Sequence, residues 1–201
     1  MAPSDVLPWV ALRWGRSRDP AGSRKDPRKR DELFRAALED YGRLLIWDLE
    51  GRWGGGPQLE VYRRFEGKGL WVEGGARTIG TLVDILVAGA EVAVIDGRQL
   101  GGPDVLAEAS KLTGQLAFCL EEGPGPSPRP PAKPETVADL FRGAEAAGID
   151  RGLYLHHPVL REIPAWVSEV EGMEIYAGPV TVSAGHPQIE GRVVANLYEL
   201  I

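Results

Sequence analysis

Cysteine is nearly absent from the chain. Its one thiol, Cys119, excludes an internal disulfide framework and any cysteine-rich zinc motif, and it fits a reducing compartment. No apolar run reaches the roughly 18 residues that a membrane-spanning helix needs. The opening Met1-Ala2-Pro3-Ser4-Asp5 lacks a basic stretch followed by an apolar core, so no secretory leader is expected and a cytoplasmic location is. Positive charge is lacking too. A net charge of −6 argues against nucleic acid as a partner. A small molecule or another protein remains, with neither nucleic acid nor membrane expected. No cofactor motif and no spaced set of metal ligands is present, so neither a cofactor nor a metal is assigned.

What is present is a 201-residue chain that is 43% hydrophobic, which suits one compact domain over residues 1–201 and excludes gross disorder. Eight apolar strand-like runs recur, at residues 6–12, 43–48, 70–73, 91–96, 115–120, 152–156, 173–177 and 192–197. Most are continuous rather than alternating, as in strands with both faces buried. Helical periodicity falls between them, at residues 31–41, 78–88, 103–112 and 136–147. A weaker pattern covers residues 57–65, and a short one covers 163–170 behind Pro164.

Strand and helix in alternation imply parallel crossover units. Eight of them predict an α/β fold, a (β/α)8 TIM barrel, in a short version. About 250 residues is typical of that fold and about 200 is its lower end. The saving falls between strands seven and eight. About fifteen residues with Gly185 and Pro187 leave room only for a reduced seventh helix. Strand eight is then expected beside strand one. The alternative is an open doubly wound sheet. Two loops stand out. Between Arg13 and Arg30 lie eight basic residues and two acids, which suggests a flexible basic loop over residues 16–30 that either is merely solvated or closes over an anionic substrate. Residues 123–134 hold prolines at 124, 126, 128, 130, 131 and 134, the composition of an extended loop.

Several segments carry a resemblance. Trp47-Asp48-Leu49-Glu50-Gly51 is similar to a strand-two ending "VDLDG", and Val72-Glu73-Gly74-Gly75-Ala76-Arg77-Thr78 to a strand-three ending "vGGGIRt". Ala88-Gly89-Ala90-Glu91-Val92 follows as "aGadrV", and Leu197-Tyr198 falls where "ALY" is found. These are motifs of the phosphoribosyl isomerase barrels of histidine biosynthesis (HisA/HisF-like), and the chain resembles a divergent member over about residues 43–122. The resemblance implies a barrel. It also implies an Amadori rearrangement of an aminoaldose phosphate, driven by carboxylates on strands one and five. A partner role has precedent there, because one such barrel docks an amidotransferase subunit.

The departures bear on chemistry. The two carboxylate positions fall on Ala11 and Cys119. Alanine transfers no proton, and a thiol with a pKa of about 8.5 is a poor replacement for a carboxylic acid. The phosphate loops are altered as well. Strand three carries Glu73 in place of a glycine, strand four ends Asp96-Gly97, and Pro179 lacks the N–H of a second glycine. The ancestral reaction is therefore not expected.

At the strand ends the sequence places Arg13, Asp48, Glu50, Glu73, Asp96, Cys119, Glu121, His156 and His157. In a barrel these face one mouth. The catalytic candidates are Asp48, Glu73, Asp96 and His156; the ligand-binding candidates are Arg13, Arg77 and Glu121. An acidic, imidazole-bearing mouth suits a cationic ligand, a metal ion, or acid–base work on an unphosphorylated substrate. The structural alternative is that the acids form salt bridges or cap helices. Carboxylates so close repel, so Arg13 or Arg77 must compensate, or one acid must hold a proton. Trp9, Trp47 and Trp71 lie in strands and are expected to fill the barrel. Cys119 is expected to be a buried small hydrophobe.

Overall fold

The computed structural model describes residues 5–18, 26–97, 103–122, 137–183, 186–187 and 191–200. Eight parallel strands form a closed barrel: β1 (Val6–Arg13), β2 (Leu44–Asp48), β3 (Leu70–Glu73), β4 (Val92–Asp96), β5 (Leu116–Glu122), β6 (Arg151–Leu160), β7 (Glu174–Val180) and β8 (Val193–Asn196). They follow one another in sequence order, and β8 closes on β1 from Val6↔Val193 to Trp9↔Asn196. The expected (β/α)8 architecture is thus present, and the open sheet is not.

Continuous apolar runs arise because each strand serves two layers. Leu7, Leu45, Trp71, Val94, Leu153 and Tyr176 fill the barrel interior, while Val10, Ile46, Val72, Ile95, Phe118 and Ile175 face the helices. Large rings fill the interior: Trp71 meets Tyr176 edge to face at 5.8 Å, and Trp47 joins the same cluster. The outer layer is built by α1 (Pro27–Tyr41), α2 (Ile79–Val87), α3 (Pro103–Leu112) and α4 (Val137–Ala146). Thr78 caps α2 by accepting from the Thr81 N–H, and α1 ends on Gly42 at φ 68°.

Three expectations need adjustment. Residues 57–65 split into two short turns, Leu59–Tyr62 and the 3-10 turn Arg63–Phe65. The short helix behind Pro164 is a 3-10 turn, Ala165–Glu169, held where Trp166 packs on Phe141 and Tyr154. At the two described ends of the basic segment, Arg16–Arg18 pairs antiparallel to β1, and α1 starts at Pro27 behind its Asp26 cap, ahead of the expected start at Asp31. Arg30 is buried in that first turn and pairs with Asp31, so its charge is spent internally. Residues 19–25 and the proline-rich residues 123–136 lie outside the described residues. Between β7 and β8 the described residues show a two-residue ribbon, Val182–Ser183 with His186–Pro187, and no helix. Among the described residues no helix is long and apolar enough to cross a membrane.

Candidate functional site

The site begins with Asp48. Alternation along β2 turns Trp47 into the barrel and Asp48 away from it. There Asp48 caps the short helix Leu49–Arg52, accepting from the N–H groups of Glu50 (2.9 Å) and Gly51 (3.3 Å). It also accepts from the backbone and side-chain N–H of Gln58, each at 2.7 Å, and from the Tyr62 hydroxyl. A fully buried carboxylate so saturated with donors is an anchor.

That one helical turn swings Arg52 across the mouth. Its Nη1 lies 2.8 Å from Glu73 Oε2, and its Nη2 lies 2.8 Å from Glu121 Oε2 and 3.2 Å from Asp96 Oδ2. The guanidinium also sits 4.3 Å from the Trp47 ring centroid. Three carboxylates from β3, β4 and β5 thus share one cation. Glu73 and Asp96 are buried, and the Glu121 side chain keeps 21% of its exposure.

The electrostatics follow from this count. Burial pushes the Glu73 carboxyl up most, Arg52 pulls it back, and Asp96 raises it again, leaving it near neutrality at about 7. Burial also works against the charge on Arg52, but Glu73, Asp96 and Glu121 outweigh it and hold the guanidinium charged. Beneath them lies Cys119, fully buried; burial first, then Asp96 and Glu73, push its thiol well up, so it stays protonated and inert.

The glycines beside the site serve the approach of two loops. A Cβ on Gly51 would stand 2.1 Å from the Gly74 carbonyl oxygen, and one on Gly75 would stand 2.3 Å from the Gly51 oxygen. Gly75 also sits at φ +68° and donates its N–H to Glu73 Oε1 at 3.1 Å. The Gly-Gly pair after β3 therefore packs on the turn that carries Arg52.

Of the residues singled out in the sequence, Glu73, Asp96 and Glu121 come together. Asp48 belongs to the adjoining anchor. His156 lies on the outer face of β6 beside Tyr154, with ring centroids 6.2 Å apart, and does not join the group. Arg13 lies at the rim, 4.0 Å from the Trp14 ring and 4.4 Å from the Trp53 ring. Arg77 is exposed and donates to the Arg52 carbonyl at 3.2 Å. Glu50 accepts from the Trp14 N–H at 3.0 Å. The side chain of His157 lies outside the described residues. The sequence called for a compensating cation, with Arg13 or Arg77 in view, or for an acid that holds a proton; the bridging cation is Arg52, and the Glu73 carboxyl is raised to about 7. The signal was an N-capping aspartate with an arginine one turn later. Among the described residues no group of three or more His, Cys, Asp or Glu side chains is placed to hold a metal ion.

Beside this cluster opens a cavity of about 160 Å³, walled by Trp9, Ala11, Trp47, Leu49, Leu155 and Pro179, with Glu121 the one charged residue among the described residues that line it. The buried Nε1–H of Trp9 has no hydrogen-bond partner among the described residues. The fold and this mouth define a (β/α)8 barrel with an acidic, arginine-bridged C-terminal face. No protein-family model matches the chain, and no curated protein matches it.

Proposed function

We propose that the chain is a divergent relative of the histidine-pathway phosphoribosyl isomerases that no longer performs their reaction. Its mouth instead binds or converts a different, unphosphorylated small metabolite. The observation that carries this reading is the trio Glu73, Asp96 and Glu121 on one guanidinium. Glu73 stands where the resemblance expects a phosphate-loop glycine, and a carboxylate there disfavours a phosphate dianion. Ala11 and Cys119, at the positions the resemblance assigns to the acid–base pair, support the loss of the older chemistry. Glu121, which lines the cavity and keeps 21% of its exposure, is the carboxylate placed to meet a ligand, with the fully buried Glu73 behind Arg52.

Thermal unfolding against paired metabolites tests this. Unphosphorylated members of each pair are expected to raise the melting temperature, and their phosphorylated counterparts are not. Consistent stabilisation by sugar phosphates or inorganic phosphate overturns the reading.

A second reading, a non-catalytic barrel that serves a protein partner, draws on the rim. Trp14 and Trp53 are 50% and 62% exposed with Arg13 against both rings. Tryptophan and arginine dominate binding hot spots. A photocrosslinker at position 53 would then capture one defined protein in cells. Yield no greater than from a crosslinker at Val87, which is also exposed, removes this reading.

A further inference from the structure

We infer that the rim of the mouth is a docking surface for an acidic segment of another protein, gripped by the indoles of Trp14 and Trp53 and the guanidinium groups of Arg13, Arg16 and Arg77. This deepens the reading of the barrel as a partner protein and rests on it. Three observations carry it.

The first is an indole placed against local preference. β1 turns into Arg16–Arg18 through two residues, Trp14 and Gly15, between the paired Arg13 and Arg16. Both turn residues sit at positive φ, 53° and 66°, the signs of a type I′ turn, where Asn-Gly is favoured. Among the described residues Trp14 is the one non-glycine residue at positive φ. A bulky side chain is strained there, and with the residue 50% exposed, core burial does not explain it. The second is rigidity. The Trp14 N–H donates to Glu50 at 3.0 Å, the Gly15 N–H donates to Gln58, and Arg30 donates to the Gly15 carbonyl. Arg13 lies over both the Trp14 and the Trp53 rings. The two indoles are thus set near each other before a partner arrives, so little ordering is needed on binding.

The third is charge. Arg16 is exposed at the turn, and Arg77 is exposed where it donates to the carbonyl of Arg52, the residue before Trp53. Among the described residues none of Arg13, Arg16 and Arg77 is in an ion pair. A local excess of positive charge selects a negative partner, and tryptophan and arginine are the side chains enriched at binding hot spots. A protein segment is favoured over nucleic acid, because three arginines make a small footprint and the chain's net charge of −6 repels a long polyanion.

A random peptide library displayed on phage is selected against the full-length protein. Enriched peptides are expected to hold Asp and Glu above the level of the starting library. They are expected to bind about tenfold more weakly to Trp53→Ala and to the double variant Arg16→Glu, Arg77→Glu. Trp14→Asn separates docking from structure. It installs the favoured Asn-Gly turn, so the melting temperature is expected to hold or rise while peptide binding weakens about tenfold. No enriched peptide, enrichment without acidic residues, or binding unchanged in any of the three variants overturns the inference. So does a fall in melting temperature of about 5 °C or more in Trp14→Asn, which would make the indole structural. Tighter binding of a uridine oligonucleotide than of the enriched peptides overturns it too. The parent reading fails separately, when a crosslinker at position 53 captures no defined protein; capture through a segment that is not acidic leaves that reading standing and overturns this one.

Discussion

Glu73 concentrates the energetics of the site in one side chain. It is fully buried, it faces Arg52 at 2.8 Å, and its carboxyl is raised from 4.5 to about 7. The folded state therefore holds this proton more tightly than the unfolded chain does. Stability from this group is complete below about pH 4.5 and is lost as pH rises through about 7. The loss is about 3 kcal/mol, at roughly 1.4 kcal/mol per pH unit. Glu73→Gln keeps the shape and removes the titration. Urea unfolding at about pH 5 and about pH 8 is expected to show the wild type losing stability relative to this variant as pH rises. A difference independent of pH would mean that Arg52 fully compensates the charge. Arg52 itself is held by burial and three carboxylates, and removing one partner of such a cluster leaves charge uncompensated.

At the scale of elements, the site depends on two loops in backbone contact. The turn Leu49–Arg52 and the Gly74-Gly75 loop approach so closely that neither accepts a Cβ. Gly75→Ala meets the Gly51 oxygen at 2.3 Å and also needs positive φ, so a loss of about 2–4 kcal/mol is expected. Gly143, in α4, has nothing within 4 Å of an added Cβ, so Gly143→Ala is expected to gain about 0.5–1 kcal/mol. Chemical denaturation of both variants checks the pair; equal effects would contradict the close packing. The elements differ in how legible they were. The eight strands and the four longer helices could be read from periodicity, because each buries a continuous face. The start of α1 was read late, at Asp31, because the basic run shows charge and hides the Asp26 cap. The direction of His156 is legible only from its neighbours in β6. Its position after an apolar run marks a strand end, but only the phase set by Leu153 and Leu155 inside the barrel shows that it faces outward.

For the whole molecule, closure between β1 and β8 fixes the geometry of the mouth. It brings Trp9 and Ala11 of β1 to the same rim as Pro179 of β7 and Leu155 of β6. The acids of β3, β4 and β5 were legible as polar residues ending apolar strands. Arg52 was not, because it arrives from a turn whose direction the Asp48 cap sets. We propose that this barrel does not perform the histidine-pathway isomerisation. The proposal rests on Ala11 and Cys119, which stand where the resemblance expects the two carboxylates, since loss of a positioned acid or base typically costs about 100-fold to 10,000-fold in rate. The direct measurement is complementation of a strain lacking the histidine-pathway isomerase, with expression verified. No growth without histidine is predicted; rescue at ordinary expression would contradict the claim.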